Sequence, residues 1–433
     1  MRNRPFAALA AVLTSTAVAG TLLSCSNMRS GARASAAAQA DSVRIRRDIQ
    51  YLASDALEGR GTGTAGNDSA AAFAARRYDA LGLRAVSPGY LQPFTARSAM
   101  SAHSGGPSEA RTQNVVALLR GTDPSLRGQT IVIGAHIDHL GRSTMGALDP
   151  EAADAIRNGA DDNASGTAAV LELARLLGAR PTRRSVLFVN FSGEELGLLG
   201  SQYFVEHSPA PVDSIVAMLN FDMVGRMRGD SVIVYGVATA REMPVLLDSA
   251  NARVGLTVRG LGDGFGPSDH SSFFARSIPV LHFFTNLHED YHRATDDAHK
   301  INAGGTARVV ALAERVVREI DRRDQRLSFV RSAAPPAVAG ARTGSNVYLG
   351  TIPDMAAPDV KGLRLTGVRA GSPADSAGLE AGDIVVELGG REVSDLQTYS
   401  DALYSHKPGD EVDIVVVRGG QRVKVRVKLG RRG

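Results

Sequence analysis

Six short runs of apolar residues, each long enough for one strand, constrain this chain more than any other feature of its sequence. They lie at residues 114–119, 130–136, 185–191, 214–223, 231–236 and 278–284. Nearly every position in them is apolar, whereas a strand with one solvated face would alternate apolar and polar residues. Helical segments such as 166–178 and 305–323 alternate with these runs. The pattern predicts an α/β fold with a mostly parallel central sheet flanked by helices on both faces.

Changes in composition divide the 433-residue chain into two domains joined by irregular segments. Residues 26–40 are rich in Ser, Ala and Gly and predict a flexible tether. Residues 332–346 form a Pro/Ala/Gly-rich linker. The α/β pattern occupies residues 41–331, between these two segments. Residues 347–431 are strand-rich with glycine-containing turns, which predicts one small β-rich domain.

The N-terminal residues 1–25 predict a targeting segment. Arg2 and Arg4 precede an uncharged stretch rich in Ala, Val and Leu, which ends at Cys25, the only cysteine of the chain. The word "LLSC" resembles a bacterial lipobox, in which the cysteine is lipidated and becomes the new N-terminus. A transmembrane helix or a plain secretory signal is the alternative, but a sole cysteine at this position favours the lipoprotein. That resemblance implies a lipid-anchored protein of the bacterial cell envelope, on the periplasmic face of the outer membrane.

Residues of metal-binding type stand at the ends of several apolar runs. They are His136 and Asp138, the pair Asp161 and Asp162, the pair Glu194 and Glu195, Asp222, and His292. Each of these residues alone is weak evidence for a metal site, because an isolated His or Asp is equally typical of a surface loop or a helix N-cap. In open α/β sheets, however, sites form at the carboxyl ends of the strands. If Asp138 is set apart as a partner of His136 and one aspartate of the first pair is counted, these segments supply two imidazoles, three carboxylates and one spare glutamate.

The adjacent carboxylates of Glu194 and Glu195 repel each other unless cations lie beside them. Two metals close together need one bridging carboxylate and two further ligands each, which five of these residues satisfy. Zinc accepts such a mixture of nitrogen and oxygen ligands. One glutamate could then hold metal, and the other could deprotonate a metal-bridging water. At strand spacing, His136 and Asp138 also fall on one side, where the aspartate could orient the imidazole.

The ordered words "GAHIDHLG", "NGADDNASG", "FSGEELGLLGS", "LNFDMVG", "SDHSSF" and "DYHRATDD" resemble the zinc-aminopeptidase family related to glutamate carboxypeptidase II and the glutaminyl cyclases. The resemblance extends from about residue 41 to residue 320. It implies a co-catalytic metallopeptidase domain in residues 41–331. The expected cofactor is a pair of divalent metal ions, zinc above all.

The resemblance also implies a role for each matching residue. His136 and Asp222 would bind one metal, Glu195 and His292 the other, and Asp162 both. Glu194 would be the general base, and Asp138 the partner of His136. Tyr291 would donate to the developing oxyanion. Asp269 and His270 of "SDHSSF" would contact substrate or support the ligands, although a buried structural histidine is an equal alternative. The family also suggests a cis peptide between Asp162 and Asn163.

The C-terminal segment resembles a PDZ domain of the kind attached to bacterial envelope proteases. The matching words are "VYLGTIPD", "GVRAGSPADSAGLEAGDIVVELGG" and "VDIVVVRGGQRVKVRV". The resemblance implies that Tyr348, Leu349, Gly350 and Thr351 form the loop that receives a peptide carboxylate, beside a groove for an added strand. A PDZ module that binds no peptide is the alternative.

The sequence therefore predicts an exported metallo-aminopeptidase that hydrolyses N-terminal residues from peptides, through a metal-bridged hydroxide and Glu194. A carboxypeptidase or a glutaminyl cyclase on the same fold is the alternative, as is an inactive PDZ-bearing envelope scaffold. The net charge of +4 is spread along the chain without a dense Lys/Arg run, which excludes a nucleic-acid partner. The expected partners are peptide substrates, a peptide C-terminus at the PDZ domain, and the membrane through the lipid anchor alone.

Overall fold

The computed structural model describes residues 39–97, 109–144, 146–149, 151–262, 264, 266–330, 347–353, 360–368, 371–394 and 396–431. The targeting segment with Cys25, nearly all of the tether, and the linker at 332–346 lie outside the described residues. Within the described residues, no helix combines the length and the apolar character that crossing a membrane requires.

Residues 84–284 contain a nine-stranded sheet with the strand order β1-β3-β5-β4-β6-β9-β7-β8, in which β2 also pairs with β3. The strands are β1 (Arg84–Ala85), β2 (Leu91–Arg97), β3 (Glu109–Leu119), β4 (Thr130–His136), β5 (Ser185–Phe191), β6 (Ile215–Phe221), β7 (Ser231–Tyr235), β8 (Thr257–Leu261) and β9 (Val280–Phe284). The central strands β5, β4, β6 and β9 are parallel. Antiparallel pairs join β3 to β5 and β7 to β9. The predicted α/β fold is confirmed.

Helices cover both faces of this sheet. They are α1 (Ser42–Leu52), α2 (Ala65–Ala80), α3 (Gly166–Ala179), α4 (Leu199–Glu206), α5 (Met243–Asn251), α6 (His270–Phe274) and α7 (Ala303–Arg322). Ile131 and Ile133 of β4 pack in one apolar cluster with α1, α2, α3, α5 and α7. Val132, between them, packs in another with Phe204 of α4 and Phe273 of α6. Because side chains alternate along a strand, both faces of β4 are buried, which explains its apolar composition.

The helices α1 and α7, which help to cover the sheet, have N-cap side chains that bond to their first turn. The Asp41 carboxylate accepts from the N–H groups of Val43 and Arg44 at the start of α1, and Asn302 accepts from Gly305 N at the start of α7. These bonds satisfy donors that the first turn of a helix leaves free. Short 3₁₀ turns lie at Asp55–Arg60, Pro88–Tyr90, Val212–Ser214 and Ala298–Lys300, and a π turn lies at Ala160–Ser165.

Residues 347–431 form a second, antiparallel β region with its own hydrophobic core. Its strands are β10 (Val347–Tyr348), β11 (Thr351–Pro353), β12 (Leu363–Val368), β13 (Ile384–Leu388), β14 (Arg391–Glu392), β15 (Glu411–Arg418), β16 (Gln421–Lys428) and β17 (Gly430–Arg431). The main sheet has the order β11-β12-β13-β15-β16, and β10 pairs with β17. Its helices are α8 (Pro373–Ser376) and α9 (Leu396–Tyr404). The small β-rich region after the linker is confirmed, whereas the exact domain boundaries stay a prediction.

Candidate metal centre

Four parallel strands deliver the predicted ligands to one edge of the sheet. His136 is the last residue of β4, and Asp222 directly follows β6. Glu195 lies four residues after β5, and His292 follows β9. The fifth, Asp162, lies in the π turn that opens α3, on the crossover from β4 to β5. Since the carboxyl ends of parallel strands meet at one edge, residues far apart in sequence converge here.

The two carboxylate oxygens of Asp162 face two separate sets of donors. Asp162 Oδ1 lies 3.2 Å from His136 Nε2, which in turn lies 3.4 Å from Asp222 Oδ1. Asp162 Oδ2 lies 3.1 Å from His292 Nε2, which lies 3.4 Å from Glu195 Oε2. The predicted bridging residue thus stands between an imidazole and a carboxylate on each side.

This donor set fits divalent cations. Ligand atoms of His136, Asp162 and Asp222 all lie within 4.8 Å of one another, as do those of His136, Glu194 and Glu195. Two imidazole nitrogens and several carboxylates at this spacing form the hard-to-borderline ligand set that zinc accepts. Both histidines present Nε2 inward, because Nδ1 of His136 and of His292 each lie beside a main-chain carbonyl, of Asp138 at 3.1 Å and Gly146 at 2.9 Å. Such carbonyls fix the tautomer of a ligating histidine.

Asp138 supports the centre through more than its carboxylate. The main-chain oxygen of Asp138 is the hydrogen-bond partner of His136 Nδ1. The Asp138 Oδ1 atom lies farther from that nitrogen, at 3.9 Å. That carboxylate instead accepts from Thr62 Oγ1 at 2.7 Å and from the main-chain N–H of Glu194 at 3.3 Å. Asp138 therefore joins the histidine to the start of the paired-glutamate loop.

His139 lies in the candidate site although the sequence motifs did not assign it a role there. It is buried, and its Nδ1 lies 2.7 Å from Glu195 Oε1 and 3.8 Å from Asp162 Oδ2. His139, Asp162 and Glu195 form a further group of potential ligand atoms within 4.8 Å. Its place in the word "HIDH", next to an assigned ligand motif, was the signal available in the sequence.

Close backbone packing holds Asp162 in place. The N–H groups of Asp161 and Asp162 both donate to Asp296 Oδ2, at 2.8 and 3.1 Å. Gly159 has φ +55, and a Cβ there would lie 2.0 Å from the Asp162 carbonyl oxygen. Only glycine fits this conformation and this approach. The Asp162–Asn163 peptide is cis, as predicted from the family resemblance.

Asp161, the neighbour of the bridging residue, ties the centre to two other loops. Its Oδ1 accepts from Gly225 N at 2.6 Å, in the segment after Asp222. Its Oδ2 lies 3.1 Å from His288 Nε2, in the segment before His292. The two adjacent aspartates therefore differ in their contacts. Asp162 faces the predicted metal ligands, whereas Asp161 bonds to the loops that carry those ligands.

Asp290 anchors the loop that carries His292. It accepts from Arg226 Nη2 at 2.6 Å, Thr295 Oγ1 at 2.6 Å and Lys300 Nζ at 2.5 Å. Burial opposes its ionisation, but these donors hold the pKa of Asp290 well below its usual range. Because Arg226 follows Asp222 closely in sequence, this contact also links the two sides of the centre.

Glu194 differs from its neighbour Glu195 in its electrostatic surroundings. The protein around Glu194 removes most of its hydration, and this desolvation raises the pKa of its carboxyl well above the usual range, with the charge of Glu195 adding to the effect. Burial also raises the pKa of Glu195, but the charge of His292 and the bond from His139 outweigh it and lower that pKa. The surroundings thus favour the protonated form of Glu194 and the ionised form of Glu195.

Three further predicted residues lie around the centre. The Tyr291 ring stacks on His292 with centroids 3.8 Å apart, and burial together with the Asp162 charge raises the pKa of its hydroxyl. Burial raises the pKa of Asp269 to about 7, against the charge of His136. The buried ring of His270 stacks on His282 at 4.5 Å, and burial lowers the pKa of His270 to about 3. His270 is therefore neutral at neutral pH.

The predicted carboxylate loop of the C-terminal region, Tyr348 to Thr351, connects β10 to β11. Gly350 has φ +86, and a Cβ there would lie 2.2 Å from the Ser372 side chain. Strand β11 is the terminal strand of its sheet order, where an added strand can pair. The roles predicted for these four residues, and for the residues of the metal centre, stay predictions.

Comparisons with known proteins agree with both regions. Residues 114–317 match peptidase family M28, and residues 338–429 match the PDZ domain family. Leupeptin-inactivating enzyme 1 of Streptomyces exfoliatus is 31% identical over 252 residues, which are 57% of this chain and 48% of that protein. Aminopeptidase YwaD of Bacillus subtilis (strain 168) is 33% identical over 129 residues, 29% of this chain and 28% of that protein. The matches thus span half or less of these relatives.

The fold also matches solved structures. The zinc aminopeptidase BSAP from Bacillus subtilis superposes with a TM-score of 0.54 at 17% sequence identity, over 69% of this chain and 97% of that one. At this identity the likeness shows a shared fold. The family resemblance read from the sequence motifs is confirmed for both the α/β region and the C-terminal region.

Proposed function

We propose that this chain, which carries a peptidase family M28 domain and a PDZ domain, is a two-metal aminopeptidase that releases N-terminal residues from peptides. The position of Asp162 supports this most strongly. Its two oxygens lie 3.2 and 3.1 Å from imidazole nitrogens on opposite sides. A single metal would leave one of these donor sets without a cation, whereas two metals use both.

The residues present would hold two zinc ions. His136 and Asp222 would bind one, Glu195 and His292 the other, and Asp162 both. Zinc aminopeptidases among the fold relatives favour this metal. When bound, the two cations would supply Lewis-acid chemistry, polarising the scissile carbonyl and making water at the site more acidic.

Glu194 moves the proton in this proposal. Its raised pKa lets it accept a proton from the attacking water and release that proton to the leaving amine at neutral pH. The main-chain bond from Glu194 N to Asp138 keeps the glutamate beside His136. Tyr291, which stacks on His292, would donate its hydroxyl hydrogen to the oxyanion.

The charges beside the centre favour a substrate with a free amino group. A carboxypeptidase needs a cationic group free to hold the substrate carboxylate. Arg60 is buried near Asp162 and Asp138, but its guanidinium donates to four main-chain carbonyls, of Leu52, Ile137, Asn158 and Gly159. Arg60 therefore stabilises the loops through these hydrogen bonds and is not free to bind a carboxylate. The acidic residues around the metal centre favour a substrate ammonium group.

Hydrolysis of matched peptides tests the reaction. We expect zinc-dependent release of the first residue from short peptides and of the anilide from aminoacyl anilides. Acetylating the peptide N-terminus should abolish cleavage, whereas amidating the C-terminus should not. Cleavage that depends on the C-terminal carboxylate would instead establish a carboxypeptidase. Conversion of N-terminal glutamine to a ring without hydrolysis would establish a cyclase.

We also propose that the enzyme acts at the bacterial cell envelope, tethered by lipid on Cys25. The lipobox-like word "LLSC" after a charged and then apolar segment supports this placement. Radiolabelled palmitate should be incorporated into the wild-type chain and not into Cys25→Ala. Labelling of both proteins, or of neither, would contradict the lipid anchor.

The PDZ domain is proposed to bind a peptide C-terminus. The loop from Tyr348 to Thr351 and the edge strand β11 support this proposal. Fluorescence anisotropy of labelled peptides on the full chain, with metal removed to prevent cleavage, tests it. Peptides with a free C-terminus should bind more tightly than their amidated counterparts. Equal binding would leave the domain without this role.

A further inference from the structure

A cavity of about 360 Å³ lies away from the metal centre, among the ends of α3, α5 and α7. Five arginines line it, namely Arg180, Arg253, Arg315, Arg318 and Arg322. Its volume is at the lower end of the range that small-molecule sites occupy. The function proposed above does not use this cavity.

Only part of the positive charge is balanced within the cavity. Two glutamates also line it, and each pairs with one arginine. Arg318 Nε lies 2.7 Å from Glu314 Oε1, and Arg322 Nη1 lies 2.5 Å from Glu319 Oε1. The side chains of the other three arginines make no hydrogen bond or ion pair with described residues. The lining thus keeps a surplus of three positive charges.

Helix ends account for only some of these arginines. Cations near a helix C-terminus are stabilised by its dipole, within the last turn. Arg180 caps α3, Arg253 lies just beyond α5, and Arg322 ends α7. Arg315 and Arg318 lie a turn or more before the end of α7, so its dipole does not explain them.

Arg318 is the most buried of the five arginines. The residue is only 9% exposed, and its Nη2 is buried without a hydrogen-bond partner. Buried donors of guanidinium groups are normally satisfied, because leaving one unpaired is unfavourable. Because this Nη2 is closed off from solvent, an anion in the cavity would contact the more exposed arginines of the lining instead.

We propose that this cavity binds a phosphate group, with Arg180, Arg253 and Arg315, which have no partner among the described residues, as its main contacts. The planar guanidinium group donates two parallel hydrogen bonds that match phosphate geometry. A surplus of three charges suits a dianion better than a monocarboxylate. The cavity holds more than a bare phosphate, so the ligand is a phosphomonoester, either free in solution or as the headgroup of a phospholipid.

Isothermal titration of the full-length chain with glycerol 3-phosphate, at about 0.15 M salt, tests the site. The double variant Arg253→Gln/Arg315→Gln removes two solvent-accessible contacts and leaves the buried Arg318 in place. Arg76→Gln/Arg241→Gln is the matched control, because both arginines are exposed and lie outside the cavity. Thermal unfolding of each variant without ligand verifies that all are folded.

We expect one saturable site per chain in the wild type and in the control. The double variant should bind at least about tenfold more weakly, since each lost charged hydrogen bond contributes more than one RT ln 10. Tighter binding of a short-chain, water-soluble phosphatidic acid than of glycerol 3-phosphate would identify a lipid headgroup as the source. Equal binding of the two would identify a free phosphomonoester. Wild-type binding weaker than about 1 mM, or equal binding by the two double variants, would overturn the proposal.

Discussion

Two buried aspartates, Asp162 of the α/β region and Asp383 of the C-terminal region, satisfy their charges in opposite ways. Asp383 is fully buried, and Arg418 binds it with two parallel contacts, Nε to Oδ1 and Nη2 to Oδ2, both at 2.6 Å. Asp162 is also buried, but its oxygens meet only histidines that themselves lie against further carboxylates. The chain itself supplies the cation at Asp383, whereas the donors around Asp162 would take theirs from solution.

This difference separates a structural charge from a functional one. A buried carboxylate paired with arginine keeps its neighbours in register and needs nothing else. Several carboxylates that share two imidazoles repel one another, so cations bound among them would stabilise the cluster. The same residue type thus points to architecture in one region and to chemistry in the other.

Removing the shared ligand should have the largest effect. Asp162→Asn is expected to lower bound zinc from about two ions per chain to less than one and to reduce hydrolysis by at least ~10⁴-fold. Asp222→Asn removes a ligand of one side only and should retain about one ion. Metal content and aminoacyl-anilide hydrolysis measure both variants. Similar zinc loss in the two would argue against a shared ligand.

Removing the proton carrier should separate chemistry from metal binding. Glu194→Gln is expected to lower kcat by ~10²–10⁴-fold while zinc content stays at the wild-type value. The matched control is Glu289→Gln, at an exposed glutamate in the segment before His292. Substantial turnover by Glu194→Gln would show that another group moves the proton.

Breaking the complete pair of the C-terminal region should affect stability alone. Arg418→Met leaves the buried Asp383 without its cation and should destabilise this region by ~1–3 kcal/mol, less than for a fully buried pair because Arg418 is one-third exposed. Arg426→Met breaks an exposed pair with Asp413, which solvent screens, and should leave stability nearly unchanged. Hydrogen exchange of residues 411–428 reports both. If Arg418→Met lowered anilide hydrolysis without unfolding the C-terminal region, the assignment of a purely structural role to this pair would be wrong.

The smallest effect at neutral pH concerns the neutral histidines behind the metal centre, because it develops only as the pH falls. Burial lowers the pKa of His270 to about 3, below the ~6.5 of an unfolded histidine. The unfolded chain therefore takes up a proton first as pH falls, and the stability present above pH ~6.5 is lost progressively towards pH 3. His270→Phe should reduce the slope of unfolding free energy against pH in this window by ~1.4 kcal/mol per unit. His207→Phe, at an exposed histidine, is the matched control, and equal slopes in both variants would refute this origin.

The central fold could be predicted because each of its strands is recognisable from a short, continuous stretch of sequence. Continuous apolar runs identified β4, β5 and β6. The predicted ligands His136, Glu195 and Asp222 lie at or just after the ends of these strands, at one edge of the sheet. Strands β2 and β8 were missed, since β2 is interrupted by Pro93 and β8 has no fully buried residue.

The candidate site was predicted less completely than the fold. The five ligand positions came from motif words, and these positions converge in the structure. His139 and Asp290 were not singled out, because their importance depends on contacts with Glu195 and Arg226 from other loops. The arginine cavity was likewise invisible in sequence, where Arg180, Arg253 and Arg315 are scattered over more than a hundred residues.

Anomalous diffraction at the zinc absorption edge, from crystals of the zinc-loaded chain, tests the central claim most directly. Two peaks are expected, one on each side of the Asp162 carboxylate, with His136 and Asp222 around the first and Glu195 and His292 around the second. The buried Asp383 should show no peak, because Arg418 already balances its charge. A single peak, or none, at Asp162 would contradict the two-metal centre.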